Sequence, residues 1–351
     1  MRWYAFLLYP FALLYKLVTS LRNWFFDMGW LKSAHSPIPS IVVGNLSVGG
    51  TGKTPMVEFL IRMLQKEKST AVLSRGYGRK TNGFLQANWM LSPDDIGDEP
   101  FQIFQKFGQD ISVFVGENRV NALNKIAALP TSPELIILDD AFQHRYVTGD
   151  LKILLTTYQR PFYSDFLLPM GRIRESRAGA KRADVVVITK CPEALSASEK
   201  TRLISKVSPN IRMGTPVLFS SITYGRPFGL MNQTSITGKI LLLTGLANDQ
   251  PLVDYVRTKY DLLEVMSYPD HHDYGLSDFE KIRSKMNQYA AQKPVVFTTE
   301  KDAVKVKSNA PKGFLEEIPI FVLPIEVCFS PADELALAQL IQQKVFKRDI
   351  I

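Results

Sequence analysis

Cysteine and histidine are scarce in this chain, which has two cysteines and four histidines among 351 residues. Cys191 and Cys328 lie far apart and form no Cys-x-x-Cys pair, which excludes a disulfide framework and argues against a cysteine-based metal site. Two reduced thiols are typical of a protein in a reducing compartment. We also find no internal repeat and no low-complexity tract.

The N-terminus lacks a hydrophobic run long enough to cross a bilayer. The uncharged stretch from Trp3 to Tyr15 is shorter than the roughly 20 residues that a spanning helix needs, and Pro10 interrupts it. Beyond it, apolar residues recur at helical spacing, namely Leu14, Leu17, Val18, Leu21, Trp24, Phe25 and Met28. We predict a helix that lies in the membrane interface. The alternatives are a buried core helix and a signal peptide, for which we see no convincing cleavage site.

Acidic residues are outnumbered, since 42 Lys and Arg face 34 Asp and Glu, giving a net charge of +8. The excess favours an anionic partner, such as nucleic acid, an acidic membrane surface or a phosphorylated substrate. Hydrophobic residues make up 46% of the chain, which excludes a disordered protein. The length predicts two domains.

The glycine-rich stretch "VGNLSVGGTGKTP" follows an apolar strand and opens a helix, which is the context of a phosphate-binding loop. Lys53 would reach the β- and γ-phosphates and the Thr54 hydroxyl would ligate Mg²⁺. Ser47 stands where the usual motif has its first glycine. The predicted nucleotide contacts are Ser47, Val48, Gly49, Gly50, Thr51, Gly52, Lys53 and Thr54.

A second apolar strand, "ELIILDD", delivers Asp139 to the sheet edge where ligands bind in open α/β sheets. We expect Asp139 to hold Mg²⁺, with Asp140 as a second candidate. The segment "VITKCPE" has Pro192 where guanine-specific loops have Asp, so ATP is favoured over GTP. Val48 replaces the lysine expected of a partitioning-type ATPase.

Acid–base candidates come from two polar segments. "GDEP" places Asp98 and Glu99 at a helix start, where they could serve catalysis or simply complement the helix dipole. "DHHDY" contains His271 and is suited to acid–base chemistry; a structural role and a zinc site are the other readings. The basic run around Glu175, from Arg172 to Arg182, is either an anion site or a solvated surface.

Strand–helix alternation predicts an α/β fold, with a P-loop NTPase-like parallel sheet flanked by helices. We divide the chain into a membrane-associated helical segment at 1–32, a P-loop core at 33–212 and a smaller α/β domain at 213–351, which begins with a connecting strand near residues 218–227.

Seven ordered motifs resemble the tetraacyldisaccharide 4'-kinase family over nearly the whole chain: "VGNLSVGGTGKTP", "SRGYGRK", "GDEP", "DDAFQHR", "LLPMGRIRES", "DHHDY" and "TTEKDAVK". The resemblance implies transfer of the γ-phosphate of ATP, with Mg²⁺, to the 4'-hydroxyl of an acylated glucosamine disaccharide 1-phosphate, forming lipid IVA. It implies that Asp98 is the base, assisted by His271, and that Glu175 lies by the nucleotide and metal.

The candidate substrate contacts are Arg75, Glu99, Arg119, Asp140 and Gln143. Ala141 departs from the family, which usually has glycine there. If that position needs a positive φ, alanine would shift the loop that carries Asp140 and Gln143.

The resemblance implies a location at the inner (cytoplasmic) membrane, with the active site on the cytoplasmic face and anionic lipids nearby. We expect no nucleic acid and no obligate protein partner. The main alternative is a P-loop regulatory or chaperone ATPase at the membrane surface, which explains the nucleotide motifs but not "GDEP" or "DHHDY". A nucleic-acid-binding ATPase is a third hypothesis, for which the sequence shows no recognisable module.

Overall fold

The structure is a computed structural model that describes residues 7–231, 233–270 and 272–347. The first half of the chain contains α1 (Tyr9–Asp27), β1 (Ala34–His35), β2 (Ser40–Asn45), α2 (Lys53–Leu64), β3 (Thr70–Ser74), β4 (Leu85–Gln86), α3 (Pro93–Ile96), α4 (Asp98–Phe107), β5 (Ser112–Val115), α5 (Arg119–Ala127), β6 (Leu135–Asp139), β7 (Val147–Thr148) and β8 (Leu151–Thr157).

The second half contains β9 (Val185–Cys191), α6 (Ala197–Val207), β10 (Val217–Tyr224), β11 (Phe228–Gly229), β12 (Ile240–Thr244), α7 (Gln250–Lys259), β13 (Leu262–Ser267), α8 (Leu276–Gln288), β14 (Val295–Thr299), α9 (Glu300–Asn309), α10 (Phe314–Glu317), β15 (Ile320–Leu323), β16 (Ile325–Phe329) and α11 (Pro331–Lys344). The predicted α/β class with mostly parallel sheets is confirmed.

A nine-stranded sheet in the order β16-β10-β9-β8-β2-β6-β3-β5-β4 forms the larger part of the molecule. Only its edge strands, β16 and β4, pair antiparallel to their neighbours. The strands are buried on both faces: Ile41 and Val43 of β2 pack into one hydrophobic cluster and Val42 into another. This two-sided burial explains why the strands are continuous apolar runs rather than alternating ones.

A five-stranded sheet in the order β11-β15-β14-β12-β13 forms the smaller part. The structure differs here from the predicted boundary at 213. Strand β10 pairs in the large sheet, and the chain returns to that sheet through β16, which pairs with β10 from Ser220↔Phe329 to Tyr224↔Ile325. Leu337 and Ile341 of α11 then pack into the core of the large sheet. The smaller sheet therefore spans 228–323 and is inserted between two strands of the larger one.

Helix α1 precedes both sheets and presents a continuous apolar surface. Among the described residues, no helix is both long enough and apolar enough to cross a membrane. The exposed apolar side chains of α1 and the turn after it are Tyr9, Phe11, Leu13, Leu14, Leu17, Val18, Leu21, Trp24, Met28 and Trp30. Ala12 and Phe26 lie on the opposite, buried side.

Candidate functional site

The loop from Leu46 to Gly52 joins the central strand β2 to α2. Gly49 and Gly52 have φ angles of +94° and +85°, which favour glycine. A Cβ at Gly49 would lie 2.8 Å from an Arg172 side-chain nitrogen, so the guanidinium group would have to move to admit a larger residue. The buried Asn45 side chain donates to Thr51 Oγ1 at 2.6 Å and braces the loop. Residues 47–52 thus form a backbone turn at a helix N-terminus, a geometry that suits phosphate.

Lys53, the first residue of α2, faces the end of β6. Its Nζ lies 3.9 Å from Asp140 Oδ1. Asp139 beside it is buried; its Oδ2 accepts a hydrogen bond from Ser74, whereas its Oδ1 has no partner among the described residues. Burial, followed by the charges of Glu99 and Asp140, raises the pKa of Asp139 to about 7. An orphaned carboxylate oxygen beside further carboxylates marks a place for a cation.

These residues fit Mg²⁺ better than zinc. The described residues contain no cluster of three or more His, Cys, Asp or Glu that could hold a metal by themselves. Magnesium is usually held by one or two carboxylates together with substrate phosphates and water. Asp139, Asp140 and the hydroxyl of Thr54, in the first turn of α2, supply such a set. The zinc alternative for "DHHDY" gains no support from the described part of that segment.

Asp140 has a left-handed backbone with φ of +45°. Arg174 holds it with both guanidinium arms, Nη1 to Oδ2 at 3.2 Å and Nη2 to Oδ1 at 2.9 Å. Burial alone would raise the pKa of Asp140, but the hydrogen bonds from Arg174 and the charge of Lys53 hold it below its usual value. Ala141 is not among the left-handed residues of the described chain. The expected shift at Ala141 is therefore wrong in its premise: the unusual conformation belongs to Asp140.

The first turn of α4 lies near the carboxylates of Asp139 and Asp140. Asp98 and Glu99 form its first turn after Gly97, whose φ is +92°. Asp98 Oδ2 lies 3.2 Å from Nζ of Lys305 on α9, so the smaller sheet closes over this side of the site. Glu99 is near enough to Asp139 to raise its pKa.

His271 lies outside the described residues. Its neighbour His272 approaches Asp278 at the start of α8, with Nε2 to Oδ2 at 2.9 Å. Asp270 pairs with Lys301 at 2.6 Å. His272 therefore has a structural partner, whereas the acid–base role of His271 stays a prediction.

Arg119 and Arg75, predicted to contact an anionic substrate, have different surroundings. Arg119 is buried beneath the end of β6 and donates to the Asp139 carbonyl at 3.3 Å. Burial lowers its pKa to about 10 despite the opposing charge of Asp139. Arg75 is exposed at the end of β3. Arg119 thus stabilises the end of β6, whereas the exposed Arg75 could contact a substrate.

Gln143 and Glu175 lie on the other side of the loop base. Gln143 Nε2 donates to the Asn45 carbonyl at 2.6 Å and to Glu175 Oε1 at 3.2 Å. Glu175 also accepts from Arg182 at 2.7 Å and from Asn23 of α1 at 2.9 Å. Both carboxylate oxygens of Glu175 therefore accept hydrogen bonds, two at Oε1 and one at Oε2.

Two cations beside the loop were not assigned to nucleotide binding from the sequence. Lys190, the residue before the end of β9, has a φ of +57°, and its Nζ lies 3.8 Å from where a Cβ of Gly50 would stand. The neighbouring Thr189 donates to the Thr51 carbonyl at 2.8 Å. Arg172 Nη2 donates to the Val48 carbonyl at 3.4 Å. The sequence signal for Lys190 is its place at the end of the apolar strand in "VITK", because parallel strands bring their carboxyl ends to the same edge of a sheet.

Known proteins resemble this chain over nearly its full length. The family model for tetraacyldisaccharide-1-P 4'-kinase matches residues 4–345. The tetraacyldisaccharide 4'-kinase of Flavobacterium psychrophilum is 41% identical over 327 residues, 92% of either chain. That of Cytophaga hutchinsonii is 39% identical over 350 residues, 97% of this chain and 96% of the relative. The crystal structure of "apo" form LpxK from Aquifex aeolicus in complex with ATP superposes with a TM-score of 0.75 and 29% identity, covering 97% of this chain and 99% of that one.

Proposed function

The chain belongs to the tetraacyldisaccharide-1-P 4'-kinase family, and we propose the residues by which it carries out the family reaction. The protein is a lipid kinase that transfers the γ-phosphate of ATP to the 4'-hydroxyl of a tetraacylated glucosamine disaccharide 1-phosphate, in lipid A biosynthesis. The observation that carries the residue assignment is the meeting of Lys53, Asp139, Asp140 and the start of α4 at one sheet edge.

ATP binds in the P-loop, residues 47–54. The backbone amides of the loop and the N-terminus of α2 face the phosphates, and Lys53 neutralises charge on the transferred group. Lys190 and Arg172 contact phosphate oxygens on the outer side of the loop. This assignment is supported by the position of Arg172 beside Gly49 and of Lys190 beside Gly50.

Asp139, Asp140 and Thr54 would hold Mg²⁺, with Glu175 as a further predicted member of the set. The ion would supply positive charge to offset the negative charge of the phosphates. The orphaned Oδ1 of Asp139 is the observation behind this assignment.

Asp98 accepts the proton of the 4'-hydroxyl. The hydroxyl oxygen forms a bond to the γ-phosphorus, the bond from that phosphorus to the β,γ-bridging oxygen breaks, and ADP leaves. Lys305 holds the Asp98 carboxylate at the start of α4, and His271 assists in the proton transfer. The remaining catalysis comes from positioning and charge neutralisation.

Helix α1 lies in the membrane interface, with its exposed apolar face toward the acyl region. The substrate hydroxyl is attached to a lipid, so a cleft held at headgroup level meets it directly. The exposed Lys16 and the overall charge of +8 favour contact with anionic headgroups. We place the enzyme at the inner membrane with its active site on the cytoplasmic face.

The test is transfer of label from γ-labelled ATP, with Mg²⁺, to a tetraacylated disaccharide 1-phosphate in detergent micelles. Wild-type protein should produce a labelled, more polar lipid on thin-layer chromatography. Lys53→Ala and Asp98→Ala should abolish most turnover while keeping the wild-type melting temperature. Label found only as free phosphate, with or without lipid, would instead indicate the regulatory ATPase.

A further inference from the structure

We propose that α1 is a working part of the active site as well as an anchor: Tyr15 and Asn23 are positioning residues that fix Arg174 and Glu175, and through them the phosphate-binding loop. The inference rests on the proposed function of that loop. It concerns the inner face of α1, which the membrane does not touch.

The inner face of α1 bonds directly to the segment that backs the loop. Tyr15 Oη donates to the Arg174 carbonyl at 2.8 Å. Asn23 Nδ2 donates to Glu175 Oε2 at 2.9 Å. Arg145, which follows the carboxylate strand, returns a bond to the Asn23 carbonyl at 2.8 Å. These contacts join residues more than a hundred positions apart in the chain, so they fix α1 on the site wall rather than merely extend a local turn.

From this segment the bonds continue to the reacting region. Arg174 grips both oxygens of Asp140 and donates to the Asn45 carbonyl at 3.1 Å. Asn45 in turn donates to Thr51 of the loop at 2.6 Å. Asp140 lies 3.9 Å from Lys53 Nζ. A shift of the Arg174 backbone would therefore move the partner of Lys53 and the brace of the loop together.

Burial makes this chain of hydrogen bonds sensitive to the loss of Tyr15 or Asn23 at its start. Glu175 is 4% exposed and Asn45 is fully buried, so neither can replace a lost protein partner with bulk water. Removing the Asn23 amide leaves Oε2 of a buried carboxylate without the donor that the structure gives it. The Glu175 carboxylate would then rotate toward other donors, and this rotation would displace the neighbouring Arg174.

The two faces of α1 can be tested separately. Leu17 is 64% exposed on the outer, apolar face, whereas Tyr15 and Asn23 point inward to the site. An anchor alone would predict that inner-face substitutions act only by loosening membrane binding. Positioning predicts that they act on turnover even in micelles, where no bilayer is present.

The experiment compares Tyr15→Phe and Asn23→Ala with the matched control Tyr9→Phe, since Tyr9 is 53% exposed on the same helix. We expect kcat in micelles to fall about fivefold to tenfold in the two inner-face variants, which is the loss that one hydrogen bond to a buried partner produces. The KM for lipid and pelleting with phosphatidylethanolamine–phosphatidylglycerol vesicles should stay at wild-type values. Tyr9→Phe should match wild type, and Leu17→Ser should lower pelleting while keeping kcat in micelles.

A double-mutant cycle identifies the route. If Asn23 acts through Glu175, then Asn23→Ala combined with Glu175→Gln should be no slower than Glu175→Gln alone, and Asn23→Gln should restore part of the rate. Wild-type kcat in both inner-face variants, additive effects in the cycle, or a loss that follows vesicle binding would overturn the proposal. Absence of lipid phosphorylation by the wild-type protein would overturn the proposed function first.

Discussion

Lys106 on α4 is the clearest electrostatic link between the two sheets. Its Nζ lies 2.7 Å from Glu58 Oε2 on α2 and 2.6 Å from Glu300 Oε1 on α9. The lysine side chain is 24% exposed and the two carboxylates 1% and 11%. One ammonium group therefore separates two largely buried carboxylates, at the helix that begins with Asp98.

Replacing Lys106 with methionine keeps most of the side-chain volume and removes the charge. Breaking a buried pair by removing one partner costs about 3–5 kcal/mol. Water that reaches the partly exposed lysine screens the pair, so we expect about 3 kcal/mol at pH 7. Burial and the charge of Glu58 already raise the pKa of Glu300, and removal of Lys106 would raise it further.

A carboxyl whose folded-state pKa is raised stabilises the protein at low pH, and that contribution is lost as pH rises through the folded pKa. The destabilisation of Lys106→Met should therefore be large at pH 7 and smaller at pH 5. Urea unfolding at both values measures it, with Lys106→Arg as the charge-conserving variant and the exposed Lys66→Met as control. A loss below about 1 kcal/mol at pH 7, or one that does not shrink at pH 5, would refute the reasoning.

Other predictions concern single residues. Lys190→Ala should raise the KM for ATP about tenfold and leave the KM for lipid unchanged; steady-state kinetics with Lys206→Ala as control would show it. Burial and the charges of nearby arginines lower the pKa of His144 to about 4, so the folded chain loses stability as pH falls from 6.5 to 4. His144→Gln should flatten that part of the stability profile in urea titrations. Ala141→Gly should destabilise by about 0.5–1 kcal/mol without raising kcat; a gain in melting temperature would show that the alanine is strained.

Local patterns predict the parts of this molecule that local forces decide. The apolar strand, the glycines and the helix start around Lys53 are consecutive in sequence, so the loop could be predicted with its residues. The same holds for Asp139, since an apolar strand that ends in a carboxylate sets its own position. The apolar face of α1 likewise follows from helical spacing alone.

Pairings between distant segments could not be predicted in this way. The sequence of β16 predicts a short apolar strand but not the sheet to which it belongs. Its pairing with Ser220 to Tyr224 of β10 assigns it to the large sheet. The grip of Arg174 on Asp140 joins residues 34 positions apart and depends on the left-handed backbone of Asp140. In a run of several basic residues, no local feature distinguishes Arg174 from its neighbours.

The order of segments explains why an apolar helix stands directly before a phosphate-binding loop. Helix α1 ends at Asp27 and β2 begins at Ser40, so the connection is short and keeps the helix beside the strand that carries the loop. Ile173 forms a bridge with Ser47, which places Arg174 and Glu175 between the loop and α1. The inner face of the helix therefore packs against the support of the loop while its outer face is free for lipid. On the proposed placement of α1 in a membrane, the hydrogen bonds from Tyr15 to Arg174 and from Asn23 to Glu175 would couple the depth of the helix to the position of the phosphate-binding loop.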